Sequence, residues 1–586
     1  MRILFLTHSF NSLTQRLHAE LVAKGHEVTV EFDIADSVTE DAVQRFSPDL
    51  IIAPYLRRAI PQSVWSAYVC LVVHPGVVGD RGPSALDWAI QTRQPQWGVT
   101  VLQANAELDG GDIWASRNFV LPVASKGSVY RNEVKEAAVL AVHDAVNRYA
   151  DYRSGRWSPT PLARHSGVLG QAHALIAQQD RAIDWGADDT ATILAKINAA
   201  DGFPGVKDVW FGQSCQIFDA CVEGQLRGAA GAIIARRETA LCRATRDGAV
   251  WVGHIKRGDS AHPFKRPATQ TFAEEVASVP EVPLPDWWRS DHATWQDIGY
   301  EEGGAGDAAV GVLSFNFYNG AMSTRQCQRL RDAYLFARSR PTRVIVLAGG
   351  NDFWSNGIHL NVIEAGGAEG TGSPADESWA NINAMNDLAR EIITTESHLT
   401  IAALQGNAGA GGCFLARACD QVWARDGVIL NPHYKNMGNL YGSEYWTYLL
   451  PRRVGMVTAQ SIMKNRMPLT AKAAREIGFI DEVFGLTRTE FRNEAASRAD
   501  ALARAGDYEA QLAKKSATRR RDEAEKPLEA YRADELAHMR RNFYGFDPSY
   551  HVARYHFVLK SPVSWTPRHL ARHREIDFIP VHSMTT

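Results

Sequence analysis

Two stretches of the chain alternate strand-like and helix-like segments, and this alternation restricts the fold more than any other feature. In the first stretch RILFL reads as a strand, LTQRLHAELVAKG as an amphipathic helix stopped by Gly25, and HEVTVEF, DLIIAPYL, CLVVHPG and WGVTVLQAN as further strands. Such a rhythm predicts a parallel sheet covered by helices. Ligands of these sheets sit beyond the carboxyl ends of the strands. The loops HPGVVGDRGP (His74 to Pro83) and AELDGGD (Ala106 to Asp112) therefore mark a first candidate site.

The rhythm breaks and then resumes. Residues 165–271 hold one helix, a Pro/Gly turn and short β signals such as CQIFDACVEG and GAVWVGHIK, which predict a small β-rich module. Residues 272–305, with VPEVPLPDWW and EEGGAGD, read as a linker. Alternation returns near Ala308 with VGVLSFNFYNG, RQCQRLRDAYLFARS and RVIVLAGG. The predicted organisation is one α/β domain over 1–160, the β-rich module, the linker, a second α/β domain over 306–500 and a charged helical region over 501–586. A chain of 586 residues has room for about three or four domains. Its net charge of −3 excludes a molecule that binds nucleic acid through overall charge. No apolar run approaches the ~18–20 residues of a membrane span, and MRILFLTHSF reads as a first strand, not a signal peptide. The seven cysteines show no CxxC spacing, so buried free thiols in a reducing cytoplasm are expected, and no metal site.

His74 and Asp109 both fall at predicted strand ends. A histidine and a carboxylate that meet in a cleft make an acid–base pair. A strand-end histidine in a structural role has the same appearance. The stretch LVVHPGVVGDRGPSALDWAI, followed by WGVTVLQANAELDGGDI, resembles the folate-dependent formyltransferases. The β-rich module after IDW resembles the C-terminal domain of the methionyl-tRNA members. The resemblance implies that His74 and Asp109 are catalytic, polarising the formyl group of 10-formyltetrahydrofolate and moving protons as the tetrahedral intermediate collapses. It also implies that Gly79, Asp80, Arg81, Gly82, Pro83 and Ser84 lie beside the folate. One position departs from the family: its oxyanion-binding asparagine falls at Val72. A donor of that kind contributes about 3 kcal/mol. Its loss suits a thiolate acceptor, which arrives deprotonated, better than an amine.

GAGGCFLARACD, Gly409 to Asp420, brings a glycine-rich loop into an apolar helix. It lacks the Lys-Ser or Lys-Thr of a Walker loop and the downstream acidic residue of a dinucleotide fingerprint. A close helix contact and an anion cradle both fit. Around it stand FNFYNGAMS, RVIVLAGGNDFWSNGIHLNVIE, LPRRVG and MPLTAKAAREIGFIDEVF, in order. Over about 308–485 the chain thereby resembles the crotonase (enoyl-CoA hydratase/isomerase) superfamily. The resemblance implies repeated ββα turns and an acyl-CoA whose thioester oxygen lies between the backbone N–H groups of Ile358 and Gly411. Asn356, Gly357 and His359 would border the coenzyme. The two hydratase glutamates are missing: the first aligns with Phe414, the second with His433 or Tyr434. This speaks against hydration of a double bond. In their place NPHYKNMGNLYGSEYW offers His433, Tyr434, Lys435, Tyr441, Glu444 and Tyr445. These form either a site for a small polar group or an aromatic core with a surface glutamate.

Near the C-terminus His569 and His573 stand at i, i+4, without the glutamate of HExxH and flanked by arginines, which argues against a metal. Arg131 and Arg541, the latter beside Arg540, suit the phosphates of coenzyme A and equally read as solvated charge. Over the whole chain the two-part arrangement resembles a family of nickel–iron hydrogenase maturation proteins. That resemblance implies coenzyme A and 10-formyltetrahydrofolate as substrates, formyl-CoA as intermediate and carbon monoxide as product. Tyr434 and Glu444 are then expected to position or abstract the formyl proton. A formyl-CoA hydrolase that releases formate, and a non-catalytic scaffold that binds folate and coenzyme A, are the alternative readings. The expected partners are small molecules and the hydrogenase maturation machinery, in the cytoplasm, with neither nucleic acid nor membrane.

Overall fold

The computed structural model describes residues 1–304, 309–367 and 372–575. The end of the expected linker at 305, residues 306–308 and 368–371 of the expected second α/β domain, and the last residues of the expected helical region, 576–586, lie outside the described residues. The chain forms two compact units. Met1–Ile183, Ala191–Lys207 and the chain from Pro562 on make the first; Asp184–Thr190 and Asp208–Ser561 make the second.

Six strands build the first unit: β1 (Arg2–Thr7), β2 (Glu27–Phe32), β3 (Leu50–Tyr55), β4 (Cys70–His74), β5 (Gln96–Gln103) and β6 (Ile113–Val120). Their order is β2-β1-β3-β4-β5-β6. The first four are mutually parallel, as the alternation predicts. The expectation of a wholly parallel sheet fails at β5 and β6, each antiparallel to its neighbour. The loop 104–112 between them is shorter than the dozen or so residues a parallel crossover takes. Apolar periodicity marks a strand without marking its direction.

Strand β2 lies at the sheet edge, where unpaired backbone invites aggregation. The C-terminal segment covers it. Val30 N–H donates to Leu570 O at 3.0 Å, and Phe32 N–H donates to Thr566 Oγ1 at 2.9 Å. Glu31, fully buried, meets His573 Nε2 at 2.9 Å and Arg574 Nη2 at 2.7 Å, and the Thr566 hydroxyl donates to it. Burial alone would push the Glu31 carboxyl up, but the bonds from His573, Thr566 and Arg574 outweigh it and hold the group below its ordinary value. His573 thus serves this unit as a structural residue.

The second unit contains an antiparallel sheet of Gln213–Glu223, Ala249–Lys256, Ala240–Ala244 and Ile233–Arg237, the β-rich module. Beyond it stand two further sheets. The larger runs Ile298–Gly303, Val310–Phe315, Val344–Ala348, Leu399–Leu404, Gln421–Arg425, Glu482–Phe484; the smaller runs Phe353–Ser355, Asn407–Gly409, Ile429–Asn431, Leu469–Thr470. Successive turns of chain give one strand to each sheet and then a helix. Leu399–Leu404, Asn407–Gly409 and helix Gly411–Arg417 form one such turn. This is the ββα repeat that the crotonase resemblance implies. Within the stretch read as a linker, Ile298–Gly303 is a strand paired antiparallel to Val310–Phe315. Its sequence, IGYEEG, is too short and too acidic to show a period.

Replacing Glu31 with Ala removes the shared acceptor of His573 and Arg574. A loss of about 3 kcal/mol is expected, because breaking a buried pair strands its partners. Thermal unfolding checks it, and an unchanged midpoint would show that these bonds do not hold the segment.

Candidate active sites

In the first unit the site forms where β4 ends. His74 is the last residue of that strand and is buried. Two side chains of β5 hold the loop that follows: Trp97 Nε1–H donates to Pro75 O at 2.8 Å, and the Thr100 hydroxyl donates to Gly76 O at 2.9 Å. The His74 ring stands between two carboxylates. Nε2 lies 2.7 Å from Asp80 Oδ2, and Nδ1 lies 3.5 Å from Asp109 Oδ2. A neutral imidazole can donate to only one of them. Gly76 makes the closer contact possible, since a Cβ there would fall 2.4 Å from His74 Nε2 and 2.5 Å from Asp80 Oδ2. Asp109 has a left-handed backbone, φ +53, and also accepts from Gly82 N–H at 3.2 Å.

Sequence reading paired His74 with Asp109 and put Asp80 in the loop beside the folate; the tighter partner is Asp80. Its other oxygen lies 3.7 Å from His173 Nε2. The rest of the loop is anchored by a segment, 171–176, that carries no motif. Arg81 N–H donates to Gln171 O, His173 N–H donates to Arg81 O, and Ile176 N–H donates to Ser84 Oγ. Arg81 also pairs with Glu107. Gly79 and Pro83 lie in the same loop. Val72 packs with the apolar cluster of β1 and β3.

In the second unit the site forms around the start of helix Gly411–Arg417. The turn 355–359 comes alongside it: Gly357 N–H donates to the buried Ser355 Oγ at 3.1 Å, and His359 N–H donates to Met322 O and to Asn381 Oδ1. The amide of Ile358 lies between these two anchored ones. A Cβ on Gly357 would stand 3.4 Å from Gly411 N, so the two expected donors are neighbours. Asn356 is exposed, and its side chain donates to Asn319 O. His359 caps helix Leu360–Glu364, accepting Val362 N–H at its Nδ1. Burial, with His254 nearby, lowers its pKa to about 3, so it is a neutral ring.

Facing Gly411 is Glu444. It is buried, which sets aside the reading of a surface glutamate. A Cβ at Gly411 would fall 2.6 Å from Glu444 Cδ, so only glycine admits this carboxyl. The buried Tyr434 hydroxyl donates to Glu444 Oε2 at 2.5 Å and lies 3.1 Å from Ser443 O. Burial pushes the Glu444 carboxyl up to about 7, against the bonds from Tyr434 and Ser443. Burial and the Glu444 charge push the Tyr434 phenol well above its ordinary value. Phe414 stacks on Tyr434, centroids 5.7 Å apart and planes at 15°. The position of a hydratase carboxylate is thus an apolar wall. His433 and Tyr445 are buried, Lys435 is half-buried, and Tyr441 stacks on His538.

Two residues that sequence reading missed hold Glu444 in place. Asn386 Oδ1 accepts Glu444 N–H at 2.7 Å, and Glu535 accepts Tyr445 N–H at 2.9 Å. Both come from distant helices and match no motif. Of the two expected phosphate ligands, Arg131 is half-buried on a π turn, Tyr130–Val134, in the first unit; such turns recur at functional sites. Arg541, like Arg540, is exposed on helix Leu528–Tyr544 of the second unit. Among the described residues no helix is long and apolar enough to cross a membrane.

Known proteins match this geometry part by part. Residues 1–145 match the formyl transferase family, 175–263 the formyl transferase C-terminal domain, and 308–566 the enoyl-CoA hydratase/isomerase family. Methionyl-tRNA formyltransferase of Syntrophus aciditrophicus is 22% identical over 34% of the chain and 63% of its own length. A crystal structure of HypX from Aquifex aeolicus in complex with tetrahydrofolic acid is 46% identical, covers 99% of this chain and 100% of its own, and superposes with a TM-score of 0.93. The hydrogenase maturation factor HoxX of Bradyrhizobium diazoefficiens is 51% identical over 98% of this chain and 97% of its own length. The chain therefore belongs to the HoxX/HypX family of hydrogenase maturation factors, and joins formyltransferase N- and C-terminal domains to a crotonase-like one.

Proposed function

We propose that the two sites act in turn, converting the formyl group of 10-formyltetrahydrofolate into carbon monoxide by way of formyl-CoA. The flanked His74 at a strand end supports the first step, as does the tetrahydrofolic acid bound to the Aquifex aeolicus relative. The thiolate of coenzyme A attacks the formyl carbon, the C–N bond to the folate breaks, and the folate nitrogen takes up a proton. His74, steadied by Asp80 and Asp109, is the group placed to deliver it. Gly79, Arg81, Gly82, Pro83 and Ser84 would border the folate, and Arg131 and Arg541 the phosphates of coenzyme A.

In the second step the formyl oxygen lies against the N–H groups of Ile358 and Gly411, with Asn356, Gly357 and His359 beside the thioester arm. Formyl-CoA has no α-carbon, so no enolate can form. The pair Tyr434–Glu444 takes the formyl proton. The C–H electrons become the lone pair of carbon monoxide, the C–S electrons leave on sulfur, and the thiolate regains a proton. One observation carries this reading: Glu444 shares a 2.5 Å bond with Tyr434 directly over Gly411, in surroundings closed to water. A carboxyl held near neutrality is suited to accept and return a proton. The product serves as the carbon monoxide ligand of a maturing hydrogenase. Hydrolysis to formate would need water where Phe414 and Tyr434 stack.

Tyr434→Phe and Glu444→Gln are each expected to slow carbon monoxide release from formyl-CoA by about a hundredfold, with coenzyme A binding unchanged. Capture of the gas by reduced haem measures this, and a normal rate would remove the pair from the chemistry. His74→Ala should abolish formyl-CoA formation from formyl-folate and spare gas release from supplied formyl-CoA; loss of both would contradict separate sites. Glu444→Gln should also stabilise the fold. A carboxyl raised from 4.5 to about 7 destabilises the native state as pH rises through that interval, by ~3 kcal/mol above it. The variant's advantage in thermal midpoint should therefore be largest near about pH 8 and vanish near 4.5.

A further inference from the structure

We infer that Glu535 is a positioning residue for the second site: it pins the left-handed turn at Glu444 and Tyr445 and so aims the Glu444 carboxyl at Tyr434 and Gly411. The inference rests on the decarbonylation reading and adds a residue to it. Glu444 and Tyr445 have φ of +60 and +59. Two successive side-chain-bearing residues avoid this conformation unless their surroundings impose it. The fully buried Glu535 imposes it. Its Oε2 accepts Tyr445 N–H at 2.9 Å, and its Oε1 accepts Thr447 N–H at 2.8 Å and the Thr447 hydroxyl at 2.6 Å. All three partners are donors, so a carboxyl is the one side chain of this length that can accept on both oxygens. Asn386 secures the other side of the turn through Glu444 N–H. Glu535 belongs to helix Leu528–Tyr544, inside the 308–566 match to the enoyl-CoA hydratase/isomerase family but past the motifs read at 308–485. A helix past those motifs thereby completes the site.

The two carboxyls also sense each other. Burial pushes Glu535 up to about 8, against its bonds from Thr447, and the charge of Glu444 adds to the rise. Such coupling is mutual. The other ionisable groups in this neighbourhood are Tyr434, Tyr441, Tyr445, Cys327, Cys413, Asp534, Lys526 and Arg532. Glu444 loses its proton first, beside a Glu535 that is still neutral, so loss of Glu535 acts on it through position: a carboxyl turned away from Tyr434 loses the bond that holds it down and should titrate at higher pH.

Glu535→Gln in the full-length protein tests this. The expected result is a kcat for carbon monoxide release from formyl-CoA about tenfold lower, an unchanged KM, and an acid limb of the pH profile moved to higher pH. A lower thermal midpoint with kcat and pH limb unchanged would make Glu535 a merely structural residue. The Glu444 carboxyl is also read directly, as the carbon-13 resonance that disappears in Glu444→Gln. It should titrate at higher pH in Glu535→Gln, as the Tyr434 bond that lowers it is lost, and an unmoved titration would overturn the positioning role. Should the parent protein release no carbon monoxide from formyl-CoA, the proposed reaction fails while this resonance still decides the role of Glu535. If Glu535→Gln does not fold, Thr447→Val, which removes one donor, should show the same changes to a smaller degree, and no change would overturn the assignment.

Discussion

A carboxylic acid shut away from water and pressed against a glycine is the constraint around which the second unit is organised. Ionising Glu444 there is costly, as is ionising the buried Glu535 behind it. Position 411 must be glycine, because a single methyl group would occupy the carboxyl's space. Position 414 must be apolar, because Phe414 forms the wall on which Tyr434 stacks. The chain must turn left-handed at Glu444 and Tyr445, which requires Asn386 and Glu535 to hold the amides of that turn. In the proposed reaction the paired donors of a hydratase are kept, at Ile358 and Gly411, while the acid–base group reaches them from a new direction. A hydratase needs carboxylates that handle water; a group that releases carbon monoxide needs one that handles a proton with water kept out.

The first unit solves a related problem with the same device. Gly76 lets Asp80 approach the His74 ring, as Gly411 lets Glu444 approach an amide. The difference lies in the company kept. His74 stands between two carboxylates, whereas the Glu444 carboxyl is bonded to a phenol and to backbone. The first arrangement suits proton delivery to a leaving nitrogen; the second suits removal of a proton from carbon. The C-terminal segment contributes at a distance, through Thr566, Leu570, His573 and Arg574 on the edge strand of the first unit.

Much of this was legible in the sequence, and the failures have physical causes. Five of the six strands of the first sheet follow from apolar period, and the ββα order and the positions of His74, Asp109 and Gly411 follow from the motifs shared with the two families. Strand direction does not, so β5 was misread as parallel, and β6, with its polar ASRN centre, was not read as a strand at all. The hold of Asp80 on His74 depends on a glycine turn that brings back a residue only six positions on, and spacing alone assigns such a residue to the loop. Whether Glu444 is buried was undecided in NPHYKNMGNLYGSEYW, because the groups that hold it lie on helices far along the chain. Glu535 sits in DELAHMRR, where it looks like one more solvated charge. Its burial is a tertiary fact. The hydrophobic seam of its helix is too weak to announce which polar residue faces inward.

The central claim is that one chain moves a formyl group from folate to sulfur and then breaks it into carbon monoxide and free thiol. The most direct measurement supplies the purified protein with coenzyme A and 10-formyltetrahydrofolate carrying deuterium on the formyl carbon. The expected result is one carbon monoxide per formyl group consumed, with the deuterium absent from the gas and its release from formyl-CoA slowed relative to the protium substrate. Deuterated formate in place of carbon monoxide, with coenzyme A regenerated, would contradict the claim.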